Sequence, residues 1–594
     1  MTTYKIFPAI GVARLGNSEE FYIAPETANG LPINPDGEPF KPSDFRDEQH
    51  RMKRQAARFQ VYACSENGTQ QSVTLADEKI SSIRWTVHLA NKKACWYEFI
   101  PWQGGENGYT STHPLRNGNV TDKQERKQLI IDPSSRTLTA SPSAKETSCE
   151  FDRASSPNNS SFPPKKLKPN KEINTLGGLR IDNDGRLLVL GGHGQSGTTA
   201  NNEHMVSYAN NEGWFDDTSD GYVTATITLK DGTEVEAEAA WVLVAPPAYA
   251  PQIQNLVTLY DTIFDTMVRK TNWASIDNEH PDPWRDCALS IYKDSMWQKD
   301  FKPHFETHIL PLLKRGEGYP WVTKVPPKPH VFNYDQLKKE GEEFNGLRQR
   351  LLDYLRPAKD KNTLVNSQGC TMMPYLAGDD SIGDKDKTTS KFLYLTDTQY
   401  FMLEQWAQGK FTSGEENTPK QQAGDALTQA VLENCVGGGF SPGIEMTWVS
   451  RLIEIYQAPF RIRVKKEIGF PLSLGWNPAA DGLEPGDVTK FMAQPWQADF
   501  NDCAVQNYGD RLLWWWPPQR PMYVYTPNKA VSDIDPKKLM RDLVLDGDIE
   551  QVDWTDEDSH LQMVKEWQDL GFIYNASELE ENPLFLEVAR NKKR

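Results

Sequence analysis

The chain has 594 residues, too many for one ordinary domain, so two to four lobes or one large irregular body are expected. Its 65 basic against 82 acidic side chains leave a formal charge of −17. That balance argues against nucleic-acid binding, which needs a basic face, and against an anionic membrane surface.

No apolar run reaches the roughly 18 residues that a spanning helix needs. The start, MTTYKIFPAIGVARLGN, lacks the basic stretch and apolar core of a secretory signal. Synthesis in the cytoplasm is expected, with any export by a route that needs no classical signal. Cys64, Cys95, Cys149, Cys287, Cys370, Cys435 and Cys503 lie far apart and form no CxxC. They read as reduced thiols, and no metal site is expected. The 18 Trp and 40 Pro point to a rigid, loop-rich surface around deep pockets.

Residues 1 to about 110 read as strands, with short apolar runs at 59–62 and 83–87 between turn residues. From about 114 to 175 the chain is polar, with SSPNNSSFPPKKLKPNK at its centre. That composition predicts an extended surface arm that buries little. Strands return over 176–245. GGLRIDNDGRLLVLGG predicts a hairpin turning at Asn183-Asp184-Gly185, and Lys230-Asp231-Gly232 marks a second turn. The paired prolines of AWVLVAPPAYAP end this part.

Over 251–460 the pattern is mainly helical. Leu256, Leu259, Tyr260, Ile263 and Met267 recur at helical spacing, 394–409 carries a similar stripe, and 426–435 predicts a short helix before Gly437-Gly438-Gly439. Residues 461–594 mix strands, a Trp-rich turn and terminal helices. The expected class is α+β: strand-rich to about 250, helical over 251–460, and mixed over 461–594, where the site should form.

Several segments carry chemistry. Gly192, Gly194 and Gly197 form GxGxxG after the strand-like 187–190. A dinucleotide fold would follow with an apolar helix, but TTANNEHMVSYANNEG is too polar for one, so a tight glycine loop is the stronger reading. Glu445 lies in an apolar stretch after the glycines; a buried carboxylate is costly unless bonded, and a structural role is the favoured reading. Asp499 and Cys503 are four apart and share a face if helical. Trp514-Trp515-Trp516 cannot all enter one core face, so at least one should line a cavity or interface. Trp567 by itself reads as a core aromatic near a glycine cap.

These segments together resemble the lysine ε-oxidase and glycine oxidase family of cysteine tryptophylquinone proteins. The resemblance runs from FPAIGVARLGNSEEFYIAPE through NNEGWFDDTSDGYV, WVLVAPPAYAP, LTDTQYFMLEQWAQGKF and CVGGGFSPGIEMTW to PWQADFNDC, WWWPPQRP and WQDLGF. It implies a cross-link between Cys503 and Trp567, with the Asp499 carboxylate required for maturation and acting as the catalytic base. Trp554 lies nearby but lacks the LGF that follows the cofactor Trp. The implied cofactor is cysteine tryptophylquinone, with neither metal nor flavin in the mature protein.

The resemblance further implies oxidative deamination of the primary amine of an amino acid by O2, yielding an aldehyde or oxo acid, ammonia and hydrogen peroxide. A flavoprotein maturation partner and a homodimer or homotetramer are expected with it. Cys435 and Phe215 correspond to substrate-facing positions, and their two clues point to different substrates, lysine and glycine. The alternatives are an unmodified family member acting as a binding or structural protein, and, from composition alone, a hydrolytic or carbohydrate-binding protein with Trp-lined clefts.

Overall fold

The computed structural model describes residues 2–591 apart from 67, 97–115, 145, 166, 168–170, 202, 272–282, 325–331, 361, 380–390, 440–441, 476–477, 503, 509–510, 556–559, 578 and 580–581. Its centre is a 13-stranded sheet built from the N-terminal part of the chain. From one edge to the other the strands run Arg136–Ala140, Ile80–Ala90, Ser219–Leu229, Ala240–Ala245, Ile10–Arg14, Arg54–Cys64, Leu187–Leu190, Thr175–Ile181 and Ser148–Asp152. Most pairs are antiparallel; Ala240–Ala245 runs parallel to Ile10–Arg14 at the middle.

The two edge strands approach each other. Arg136, on one edge, donates Nε–H to the Glu150 carbonyl on the other at 2.9 Å. The sheet therefore curls on itself, which protects edges that would otherwise template aggregation. Trp85, Val87, Leu89, Phe59, Val61, Val242 and Val244 fill the inside.

Both edge strands come from the polar stretch that sequence marks as a surface arm. That expectation is corrected: Arg136–Ala140 and Ser148–Asp152 are sheet members, and Ile130, Ile131, Phe151, Leu167 and Ile173 are buried. A few well-spaced apolar residues suffice because an edge strand covers one face only. The hairpin at Asn183-Asp184-Gly185 forms as expected, with Gly185 at φ +84°.

The helices pack outside this sheet. Helix Leu259–Lys270 begins with a reciprocal cap between Thr258 and Asp261 and ends on Arg269 and Lys270, which suit the negative end of its dipole. Helix Asp397–Ala407 is capped by Thr396 with Gln399, and Gly409 at φ +77° ends it. Near the C-terminus, helix Trp496–Asp502 packs against helix His560–Glu566. The chain has both sheets and helices, strand-rich first and helical in the middle, so the α+β expectation holds. No helix of the described residues is long and apolar enough to cross a membrane.

Candidate functional site

Trp567 opens a single 3-10 turn where helix His560–Glu566 ends. Its side chain is buried, and its backbone carbonyl accepts the Tyr249 hydroxyl. Tyr249 is itself fixed by ring contacts with Trp554, Phe572 and Phe500. The Trp554 indole donates to the Gly571 carbonyl at 2.9 Å and braces the chain after Trp567. The Trp567 ring meets Trp496 edge to face, with centroids 5.6 Å apart.

The glycine motif lies against this ring. Gly194 adopts φ +72°, and a Cβ there would fall inside 3.0 Å of Cζ2 and Cη2 of Trp567. Only glycine lets the backbone come so close. The loop does cradle an acidic group, but the group is the chain's own. The Asp217 carboxylate accepts the Gln195 N–H at 3.0 Å, and the His193 backbone also donates to it. Successive N–H groups around a left-handed residue make such a nest. Burial, with the neighbouring Asp216 carboxylate, pushes the Asp217 carboxyl up to about 7.

Asp499 lies on helix Trp496–Asp502, facing inward and 1% exposed. The helix starts where Asp216 accepts the Trp496 N–H at 2.9 Å. Asp216 also pairs with Lys93, and both side chains are fully buried. Phe215, just before it, is buried in the same core cluster as Trp496, Phe500 and Trp567. Phe215 and Trp567 thus belong to one core cluster, and Asp499 sits on the helix whose first residue, Trp496, meets the Trp567 ring. Cys503 lies outside the described residues, directly after the helix that carries Asp499.

Buried donors beside the ring fit a modified indole. Among the described residues the Trp496 Nε1 and Gln497 Nε2 groups have no protein acceptor. Trp496 itself meets the Trp567 ring, so its indole N–H is the donor that suits a ring bearing oxygens; Gln497 follows it on the helix. Among the described residues no group of three His, Cys, Asp or Glu side chains converges as a metal site requires.

Cys435 packs in a different core cluster, with Leu432, Met446 and Trp448. Its thiol donates to the Val431 carbonyl at 3.3 Å, and burial pushes its pKa well up, so it stays protonated. Beside it, Arg14 meets Glu445 at 2.7 Å, and the second Glu445 oxygen accepts the Val436 N–H at 3.0 Å. Glu445 thus has the bonded, structural setting that sequence favoured. The three consecutive Trp are all buried and, as expected, do not share one core face. The run straddles two clusters: Trp514 joins the helical core, while Trp515 and Trp516 join the sheet side. Trp516 donates to the Gly439 carbonyl at 3.0 Å.

Asp216 and Asp217 escaped the sequence reading as site residues. The signal was present in Asp216-Asp217-Thr-Ser-Asp220, three carboxylates leading into an apolar strand, all of which are buried. Carboxylates in such a setting must be bonded, and their donors are therefore worth seeking.

Comparison with known proteins covers most of the chain. Residues 7–244 match the family model described as L-Lysine epsilon oxidase N-terminal, and residues 375–517 match the L-lysine epsilon oxidase C-terminal domain. The L-lysine 6-oxidase of Marinomonas mediterranea is 31% identical, over 99% of this chain and 89% of that protein. The crystal structure of the L-Lys epsilon-oxidase from the same organism superposes with a TM-score of 0.83 at 29% identity, covering 99% of this chain and 95% of that one. Its Schiff base intermediate with L-Lys superposes with a TM-score of 0.82 at 29% identity over the same shares. With the fold, the ordered segments and both family models in agreement, the chain belongs to the L-lysine epsilon-oxidase family.

Proposed function

We propose that the chain is a quinoprotein oxidase that deaminates the primary amine of an amino acid, of the lysine ε-amine or glycine type, using O2. The observation that supports this reading is the Trp567 ring held between the Gly194 backbone and Trp496, the first residue of the helix that bears Asp499. Cys503 and Trp567 would hold the cofactor, cysteine tryptophylquinone, as a thioether between the two side chains. When formed, that group would supply an electrophilic carbonyl for the amine and a two-electron sink that O2 reoxidises, O2 itself being reduced to hydrogen peroxide.

The chain's own groups do the rest. The Asp499 carboxylate takes the proton from the amine-bearing carbon of the substrate. Its burial keeps bulk water from competing for that proton and strengthens its field. Phe215 offers the substrate an apolar wall, and the Gly194 backbone and Trp496 fix the plane of the ring. Cys435, whose thiol donates to the Val431 carbonyl, is the second substrate-facing residue of this proposal. Hydrolysis releases ammonia and an aldehyde or oxo acid. A flavoprotein partner for maturation and a homo-oligomer belong to the same proposal.

Peptide mass spectrometry of protein co-produced with its flavoprotein partner tests the cofactor. A joined Cys503–Trp567 peptide carrying two added oxygens is expected. Separate, unmodified peptides would overturn the oxidase reading in favour of a binding or structural family member. A peroxide assay across the amino acids then identifies the substrate.

A further inference from the structure

The Gly191–Gln195 loop is anchored at both ends without help from Asp217. At its start, Arg54 donates to the Gly191 carbonyl at 3.3 Å. At its far side, Ser196 donates to the Gln497 side chain at 2.8 Å, and Gly197 pairs with Phe215 across a two-stranded ladder. The middle of the loop is the part that touches the Trp567 ring, and there the Asp217 carboxylate is the bonded partner. Gly192 lets that carboxylate come close, since a Cβ there would collide with Asp217 Oδ2.

We propose that Asp217 is a positioning residue for the Trp567 ring: its carboxyl group, seated in the nest of the His193 and Gln195 N–H groups, clamps Gly194 against the ring and so sets the ring's plane and its shielding from water. Two glycines in three residues make this stretch unusually costly to order, so it needs a bonded partner at its centre. Asp217 is buried, with its Oδ1 lacking a partner among the described residues, so nothing else fixes the carboxylate as firmly as the nest does. The inference rests on the quinoprotein reading only in taking Trp567 as the reacting ring; the clamp itself is a property of the unmodified chain.

The test uses the full chain co-produced with its maturation partner, as wild type, Asp217→Asn and Gly194→Ala. Asparagine is nearly isosteric and keeps one acceptor oxygen, so the fold should survive. Hydrogen exchange followed by mass spectrometry reads the loop, and the visible absorption band reads the ring. In Asp217→Asn, amides over 191–197 should exchange at least about ten-fold faster while those over 175–181 stay unchanged. The visible band should shift or broaden in the same variant. Gly194→Ala should shift the band with the loop still protected, because its Cβ enters the ring's space.

Unchanged exchange over 191–197 in Asp217→Asn overturns the clamp. Faster exchange with an unaltered band overturns the positioning role. A wild-type protein lacking the cross-linked peptide refutes the quinoprotein reading instead, and in that case the exchange measurement still decides the clamp.

Discussion

The Asp216 carboxylate accepts the Trp496 N–H at 2.9 Å, across 280 residues of sequence. One acidic side chain thereby joins the turn after Phe215 to the start of the helix that presents Asp499. It also holds Lys93, whose amine is pulled down to about 8 by burial despite this pairing. Replacing Asp216 by Ala leaves a buried ammonium without its carboxylate and frees a helix terminus, which should cost about 3–5 kcal/mol. Urea melts should show that loss, and Lys93→Met combined with Asp216→Leu should recover part of it. An Asp216→Ala protein as stable as wild type would remove the pair from the site's framework.

Asp499→Asn should leave the fold intact and abolish function. Its neighbours on helix Trp496–Asp502 keep their packing, so thermal stability should change little. In the proposed function the carboxylate serves both maturation and proton removal, so the cross-linked peptide should be missing or strongly reduced. Any fraction that matures should turn over about 10²–10⁴-fold more slowly. Full cross-linking with full activity would take Asp499 out of the mechanism.

How much of this was legible in the sequence differs from residue to residue. The hairpin at Gly185 and the caps at Thr258 and Thr396 follow from local rules, because turn and cap chemistry acts over a few residues. The edge strands at 136–140 and 148–152 were hidden by polar composition, since their apolar residues face one side only. The glycine motif forms the tight loop that its polar follow-on predicts. What it binds could not be read, because Asp217 and Trp567 reach it from 22 and 373 positions beyond Gln195 and Gly194. Trp567 entered through family resemblance, as its isolated sequence looks like any core aromatic.

The Arg14–Glu445 pair ties the central strand Ile10–Arg14 to the glycine-rich stretch after Cys435. Burial holds the Glu445 carboxyl above its ordinary range even with Arg14 beside it. Arg14→Met alone should therefore destabilise by about 3–5 kcal/mol, because it strands a buried carboxylate. Arg14→Met with Glu445→Leu should be closer to wild type in stability. A double variant no more stable than Arg14→Met would show that the Arg14 bonds to the Pro246 and Asn434 carbonyls, not the ion pair, hold this junction.

Asp217 also makes a prediction about pH. Its carboxyl titrates at about 7 in the folded chain, because burial and Asp216 disfavour its charge. In the unfolded chain it titrates near about 4. Between those values the folded state binds more protons than the unfolded one, so this group's contribution to stability falls as pH rises from about 4 to about 7 and is flat outside that window. The charged groups that act on it are Asp216, Lys93, Arg54 and Lys171, with His193 adjoining. Asp220, raised to about 6, and His308, lowered to about 4, titrate in the same range but are present in wild type and variant alike. The stability of wild type minus that of Asp217→Asn isolates the one carboxyl. Urea melts of both proteins at half-unit steps should show this difference declining steadily toward neutral pH. Parallel stability curves would mean that Asp217 stays charged in the nest throughout, and that its N–H donors outweigh its burial.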